Sequence, residues 1–339
     1  MIMTERLKYT DEIGAATAHL YDRVSDQYQE DHWKALAPYV YEINRLKKEK
    51  NAVILAHNYM TPDIFHCVGD IVGDSLKLAQ EAAKSDADII VQAGVHFMAE
   101  TSKILCSDKI VLIPDVKAGC SLAEGINAAD VALLREKYPG LPVITYVNTT
   151  AEVKAASDIC CTSGNAVKIV EKIAKEWGVS EVLMIPDQYL AAYVATQIPD
   201  IKVHTYKGEC EVHERFTGDD LRKVREKDPG VTILAHPECP QDVLEEADYA
   251  GSTAQMIDYV TDRQPAKVVL ITECSMGDNI AKANPNVDFV RSCHLCPHMK
   301  RITLPKILHS LQTLETQVEV DPAVAKKAKE AVDYMLRLS

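Results

Sequence analysis

Three stretches of the chain share one pattern of apolar and polar positions: AVILAHNY (52–59), PVITYVNT (142–149) and VTILAHPE (231–238). Each is a short, β-branched apolar run that stops abruptly at polar residues, as a buried parallel strand does. Starting at 52, 142 and 231, they lie 90 and 89 residues apart. About a dozen positions further on come DIVGDS (70–75), DICCTS (158–163) and DYAGST (248–253). These align Asp70 with Asp158 and Asp248, and the hydroxyls of Ser75, Ser163 and Thr253. Further apolar runs follow at DIIVQAG (88–94), EVLMIPD (181–187) and KVVLITE (267–273), each ahead of a helical-looking stretch such as HFMAETSKIL or QYLAAYVATQI. Each unit then closes on an extended piece ending in cysteine: KIVLIPDVKAGC, DIKVHTYKGEC and VDFVRSCHLC.

Four features in the same order three times predict three units of strand–helix–strand–helix–strand. The expected architecture is three homologous three-layer α/β/α domains with small parallel sheets, gathered around a pseudo-threefold axis. The expected boundaries are 1–128, including an N-terminal helical extension, then 129–216 and 217–305. The C-terminal helices within 306–339 are expected to pack back on the first domain.

Composition narrows the classes. The 339 residues are 47% apolar and 26% charged, ordinary for a globular protein of two or three domains. With 37 basic and 50 acidic residues the net charge is −13, a poor starting point for nucleic-acid binding. An anionic ligand would have to be held by local donors such as helix N-termini, hydroxyls or a metal. The N-terminal sequence has no apolar h-region, and no run of about 18 apolar residues predicts a membrane span. Ten cysteines without an export signal read as reduced thiols, giving a cytoplasmic expectation.

The segment RSCHLCPHMKR (291–301) holds a C-x-x-C pair with no second pair anywhere in the chain. The repeat supplies its partners, because each unit ends on a cysteine: Cys120, Cys210 and Cys296. Zinc would accept three cysteines and a fourth ligand. A [4Fe-4S] cube fits three equivalent thiolates better, since a threefold axis runs through any one of its irons. Three cysteines leave that iron open as a Lewis acid. Strand-end residues are expected to face the same centre: His57, Asn58 and Tyr59, then Tyr146 and Asn148, then His236 and Glu238. Ser75, Ser163 and Thr253 are expected at helix N-termini, as caps, anion donors or both. For His57 and His236 the plain alternative is a satisfied core histidine. Cys67, Cys106, Cys160, Cys161, Cys239 and Cys274 read as small buried hydrophobes. The composite points to a small polyanionic substrate that is deprotonated and dehydrated.

Read together, AHNY, GDSLKLA, GVHFMAETSKIL, KAGCSLA, YVNTTAEVKA, TSGNA, KGECEVHERF, HPECP, ADYAGST and CHLCPHMKR make the chain resemble quinolinate synthase, the NadA family of NAD biosynthesis. The likeness runs from about Ala52 to Lys300. It implies condensation of iminoaspartate with dihydroxyacetone phosphate to quinolinate, with release of phosphate and water. It also implies a [4Fe-4S] cluster on Cys120, Cys210 and Cys296. Iminoaspartate contacts then fall on His57, Ser75, Tyr146, Val147, Asn148, Ser163, His236, Pro237, Glu238 and Thr253, with Val147 and Pro237 acting through backbone or wall only. Glu238 is the expected general base, Tyr59 and His57 are expected proton shuttles, and His213 is expected beside the cluster or substrate. The implied partners are the two small substrates and a functional contact with the oxidase that makes iminoaspartate, with no nucleic acid and no membrane.

One departure stands out: Val290 occupies a position where some members carry a further cysteine, and Cys293 is left without an assigned role. A Cys293–Cys296 disulfide has no sequence support. The segment MTPDIF after Tyr59 is expected to be mobile. The rival readings are another cluster-dependent hydro-lyase, or a non-catalytic zinc or redox protein built on the C-x-x-C pair.

Overall fold

Each of the three matching apolar runs becomes an interior strand of its own four-stranded parallel sheet in the computed structural model, which describes residues 7–339. The first sheet contains β1 (Ala52–His57), β2 (Ile71–Gly73), β3 (Ile89–Ala93) and β4 (Ile110–Leu112), in the order β2-β1-β3-β4. The second repeats that order with β5 (Val143–Tyr146), β6 (Ile159–Cys161), β7 (Glu181–Ile185) and β8 (Lys202–Thr205), as β6-β5-β7-β8. The third does so with β9 (Thr232–Ala235), β10 (Tyr249–Ala250), β11 (Lys267–Ile271) and β12 (Asp288–Val290), as β10-β9-β11-β12. Helices flank all three sheets, so the chain is α/β with three equivalent units. Residues 1–6, the start of the expected N-terminal extension, lie outside the described residues.

Each sheet has one strand more than the sequence pattern predicts. The extra strands β2, β6 and β10 are two or three residues long, too short to show an alternation. The aligned aspartates hold them in place. Asp70, Asp158 and Asp248 immediately precede β2, β6 and β10. Each carboxylate accepts the backbone N–H of Ile54, Val143 or Ile233 on the neighbouring strand, at 2.8, 2.7 and 2.8 Å. The N–H of each aspartate donates back to the carbonyl of that same residue, at 3.0, 3.0 and 2.8 Å. A cation 23 residues upstream completes each set: Lys47 at 2.7 Å, Arg135 at 3.0 Å and Arg225 at 2.9 Å. The conspicuous repeat aspartate therefore fixes register and satisfies backbone groups away from the site.

The helices Asp11–Val24 and Glu30–Glu49 pack on the first unit, and Leu304–Thr313 lies against Glu30–Glu49. The last helix, Pro322–Leu338, departs from expectation. It lies chiefly against Ala151–Ala156 and β6 of the second unit and also packs on His96–Leu105 of the first. Lys168 and Lys172 of the second unit donate to the carbonyls of Ser339 and Leu338 at 2.7 and 2.8 Å, cations meeting the negative end of a helix. The MTPDIF segment, expected to be mobile, is packed against the third unit. Met60 is buried, Pro62–Cys67 forms a helix, and Asn279 of the third unit donates to the carbonyls of Asn58 and Met60 at 3.0 and 2.7 Å.

The cysteines also depart from the all-thiol expectation. Cys274, expected as a buried hydrophobe, is disulfide-bonded to Cys293. The bond joins the start of helix Cys274–Ala281 to the loop that carries Cys296. The other eight are free, and Cys67, Cys106, Cys160, Cys161 and Cys239 are buried as expected.

Candidate active site

The carboxyl ends of β1, β5 and β9 and the loops that follow β4, β8 and β12 open onto one cavity with about 730 Å³ of empty space, part of it open to solvent. The first unit contributes His57, Tyr59, Ser75 and Cys120 to its lining. From the second come Tyr146, Asn148, Ser163, Cys210 and His213, and from the third His236, Glu238, Thr253 and Cys296. Of the sequence-derived candidates Asn58, Val147 and Pro237 are absent from the lining, and all three are buried behind it.

The three cysteines share one local geometry. Each is followed by a short helical turn whose backbone N–H groups favour ionisation of its sulfur: Ala123 and Leu122 for Cys120, His213 and Val212 for Cys210, and Met299 and His298 for Cys296. The Met299 nitrogen lies 3.5 Å from Cys296 Sγ. Burial opposes ionisation of all three thiols, pushing Cys120 up to about 12 and Cys210 and Cys296 upward as well. Buried thiolates need a compensating cation, and metal binding is the usual source. The remaining seven cysteines do not line the cavity. The donor set is thus three thiols, each followed by a short helical turn, which fits an iron–sulfur cluster held by three protein sulfurs rather than four.

A second grouping competes for a metal. Cys210 Sγ, a ring nitrogen of His213 and a carboxylate oxygen of Glu238 lie within 4.8 Å of one another. There, however, His213 Nδ1 already bonds Glu238 Oε2 at 2.7 Å, and a single ion would leave Cys120 and Cys296 unused. We favour the three-thiol set on that ground.

Glu238 is the hub of the polar network. Its Oε1 accepts from the Tyr146 phenol at 2.6 Å and, more weakly, from Asn148 Nδ2 at 3.4 Å. Burial pushes its carboxyl up, but the His236 and His213 imidazoles and the hydrogen bonds from His213 and Tyr146 outweigh this and hold it well below the usual carboxylate range. Burial, reinforced by the Glu238 charge, pushes the Tyr59 and Tyr146 phenols well up, so both stay protonated donors. Tyr59 and Glu238 occupy equivalent positions of the repeat, two residues after His57 and His236. In both pairs the histidine Nδ1 accepts the backbone N–H of the later residue, at 3.2 and 3.3 Å. That fixes the hydrogen on Nε2. Burial drives both imidazoles down to about 3, so they are neutral donors at ordinary pH and the 3.8 Å approach of His236 to Glu238 is no ion pair.

Ser75 and Thr253 each begin a helix, Ser75–Lys84 and Thr253–Arg263, whereas Ser163 sits in the turn before Ala166–Trp177. The caps proper are Asp74 and Ser252, which leaves the two first-turn hydroxyls free for other partners. Thr253 Oγ1 accepts from Asn58 Nδ2 at 3.0 Å, tying the third unit to the first. Asn148 Oδ1 and Thr162 Oγ1 are buried in the lining without a hydrogen-bond partner. Such orphans are rare and mark where a polar ligand would bond.

Sequence reasoning missed Thr272, Glu273 and Lys300. Glu273 lines the cavity, and Thr272 and Lys300 touch residues that do. Thr272 and Glu273 end the recurring run KVVLITE, whose signal is its apolar core and not its last two residues, and Lys300 lies beyond the last repeat cysteine. Among the described residues, no helix is long and apolar enough to cross a membrane.

Comparison with known proteins gives the family. The NadA model, described as quinolinate synthetase A protein, matches residues 41–337. A quinolinate synthase of Sinorhizobium fredii is 59% identical over 98% of this chain and 91% of its own. One from Caulobacter vibrioides is 58% identical over 97% of this chain and 90% of its own. One from Xylella fastidiosa is 60% identical over 87% and 86%. Among solved structures, a D-2-hydroxyisocaproate dehydrogenase aligns at 10% identity with a TM-score of 0.17, over 81% of this chain and 89% of that one, too low to bear on the fold. Matched along nearly its whole length by one family model and by relatives that share one name, the chain belongs to the quinolinate synthetase A family, enzymes of NAD biosynthesis.

Proposed function

We propose that the chain condenses iminoaspartate with dihydroxyacetone phosphate to form quinolinate, releasing phosphate and water. In this reading Cys120, Cys210 and Cys296 hold a [4Fe-4S] cluster. When bound, the cluster supplies a Lewis-acidic iron without a protein ligand. One observation carries the proposal: three repeat-equivalent thiols line the same cavity as the Glu238 network.

The chain's own groups have separable tasks. Ser75, Ser163 and Thr253, with the Nε2–H groups of His57 and His236, hold the substrate carboxylates as neutral donors. Neutrality matters, because the ligand is polyanionic while Glu238 must stay ionised beside it. Glu238 takes a proton from the carbon that becomes nucleophilic. Tyr59 returns a proton to a leaving oxygen. Val147 and Pro237 keep a supporting role behind the lining. The proposed setting is the cytoplasm, supported by eight free thiols among ten cysteines.

The test is anaerobic iron and sulfide analysis beside quinolinate formation, for the wild type and for Cys120→Ala, Cys210→Ala and Cys296→Ala. Loss of cluster and product in all three is expected. A single ion on Cys210, His213 and Glu238 predicts that Cys120→Ala keeps its metal. An intact cluster with no quinolinate formed would favour a different hydro-lyase.

A further inference from the structure

We propose that Lys154, buried behind the cavity wall, is a positioning residue whose charge stabilises the anionic cluster held through Cys120. The inference rests on the cluster reading above and adds a residue that does not line the cavity. Lys154 is fully buried, on the helix Ala151–Ala156 of the second unit. Its Nζ donates to the Thr149 carbonyl and lies 5.4 Å from the centroid of the Phe97 ring. Phe97, on the helix His96–Leu105 of the first unit, lines the cavity together with Cys120. The ammonium therefore lies behind a residue of the cavity wall.

A cation in such a place has to be compensated, because an unpaired charge without water is strongly destabilising. The chain compensates this one sparsely. One carbonyl and one ring face meet it, and no carboxylate among the described residues comes within 4.0 Å. Burial pushes the Lys154 ammonium down, opposed in turn by Cys160, Glu100 and Cys120. Cys160 is itself pushed up to about 12 by burial and stays a neutral thiol at ordinary pH. The Glu100 carboxylate already accepts the Ala151 N–H at 3.0 Å, and burial pushes it up as well. Cys120 remains, and a metal-bound thiol is a thiolate. With three thiolates a [4Fe-4S] cluster is net anionic, which is the counter-charge that the buried ammonium needs.

The repeat marks the residue out. Lys154 is the fourth residue of its helix, and the matching helices Pro62–Cys67 and Gln241–Glu246 carry Phe65 and Leu244 there. Both of those pack on apolar cores. The shared scaffold therefore needs no cation at this position, and the charge in the second unit serves something other than the fold. A nearby cation favours the electron-richer state of a cluster, so its effect is read in the reduction potential.

The test compares Lys154→Met with Lys154→Arg in cluster-loaded protein, following the cluster through an anaerobic redox titration by electron paramagnetic resonance. The matching positions are apolar, so Lys154→Met is expected to fold and to bind iron and sulfide. Its one-electron reduction equilibrium is expected to move on the order of tenfold toward the oxidised cluster, a fall of about 59 mV. Lys154→Arg keeps the charge and is expected to stay near the wild type. Glu100→Gln removes the competing carboxylate and is expected to raise the potential. Equal potentials in the methionine and arginine variants, each with full iron, overturn the proposal and leave the cluster reading intact. If Lys154→Met does not fold, Glu100→Gln decides, and an unchanged or lowered potential there overturns the proposal. A wild type that binds no iron–sulfur cluster overturns both.

Discussion

Lys300, four residues after Cys296, and Glu273, just past the end of β11, form an ion pair, Nζ to Oε1 2.8 Å. All three ammonium hydrogens of Lys300 are used, the other two going to the Tyr59 carbonyl at 2.7 Å and the Ser275 hydroxyl at 2.8 Å. Glu273 in turn accepts the Ser275 N–H at 2.8 Å and, weakly, the Cys296 N–H at 3.4 Å. One pair thus holds the backbone on either side of the cavity wall.

Lys300→Met is therefore expected to strand the Glu273 carboxylate. Burial pushes that carboxyl up and Lys300 opposes it. Breaking a dry buried pair costs about 3–5 kcal/mol, and one-fifth exposure of Lys300 places this case near the lower end. Urea unfolding checks the value, and the double variant Glu273→Gln with Lys300→Met is expected to recover part of the loss. Unchanged stability in the single variant refutes the clamp.

Glu238→Gln keeps the size of the side chain and removes the base. Turnover is expected to fall by about 10²–10⁴-fold, the usual contribution of one general base. Iron content is expected to stay at the wild-type level, since the amide still accepts from Tyr146. Steady-state kinetics with parallel iron analysis checks both halves. Turnover within a few-fold of the wild type would remove Glu238 from the base role.

The neutral imidazoles set the acid limit of stability. His57 and His236 titrate near 3 in the folded chain, against about 6.5 when unfolded. Below about 6.5 the unfolded chain therefore binds protons that the folded chain refuses. Their stabilising contribution is complete above about 6.5 and declines as pH falls toward 3. Urea midpoints at pH 7.5, 6 and 5 are expected to drop for the wild type and to drop less for His57→Gln. Parallel curves for the two proteins contradict the neutral-donor assignment.

The sequence made visible what recurs, because a repeat turns weak local signals into a strong joint one. Cys120, Cys210 and Cys296 are legible in this way, as are His57, His236 and the aligned hydroxyls. What occurs once stayed hidden. Lys300 stands where the first two units carry Glu124 and Glu214, four residues after their cysteines. The strands β2, β6 and β10 are too brief for any periodicity. The placement of Pro322–Leu338 depends on which unit offers its apolar stripe a surface, and no local pattern encodes that.

The Cys274–Cys293 bond was hidden for a related reason: its partners are 19 residues apart and have no counterparts in the other units. It closes a loop that begins beside Glu273 and ends three residues before Cys296. In the chain-entropy account, closing about twenty residues restrains the unfolded state by about 3 kcal/mol. Neither sulfur lines the cavity. Cys274→Ala and Cys293→Ala are therefore expected to lower the unfolding free energy of the oxidised protein equally, by up to that amount, as read from urea unfolding curves. Both are expected to keep the iron that Cys296→Ala loses. A peptide map without reductant is expected to recover the two cysteines as one linked fragment. The sharpest comparison is between Cys293 and Cys296, neighbours in one C-x-x-C pair with opposite tasks. If Cys293→Ala loses iron and Cys296→Ala keeps it, the two roles are exchanged, and the repeat register that selected Cys296 fails with them.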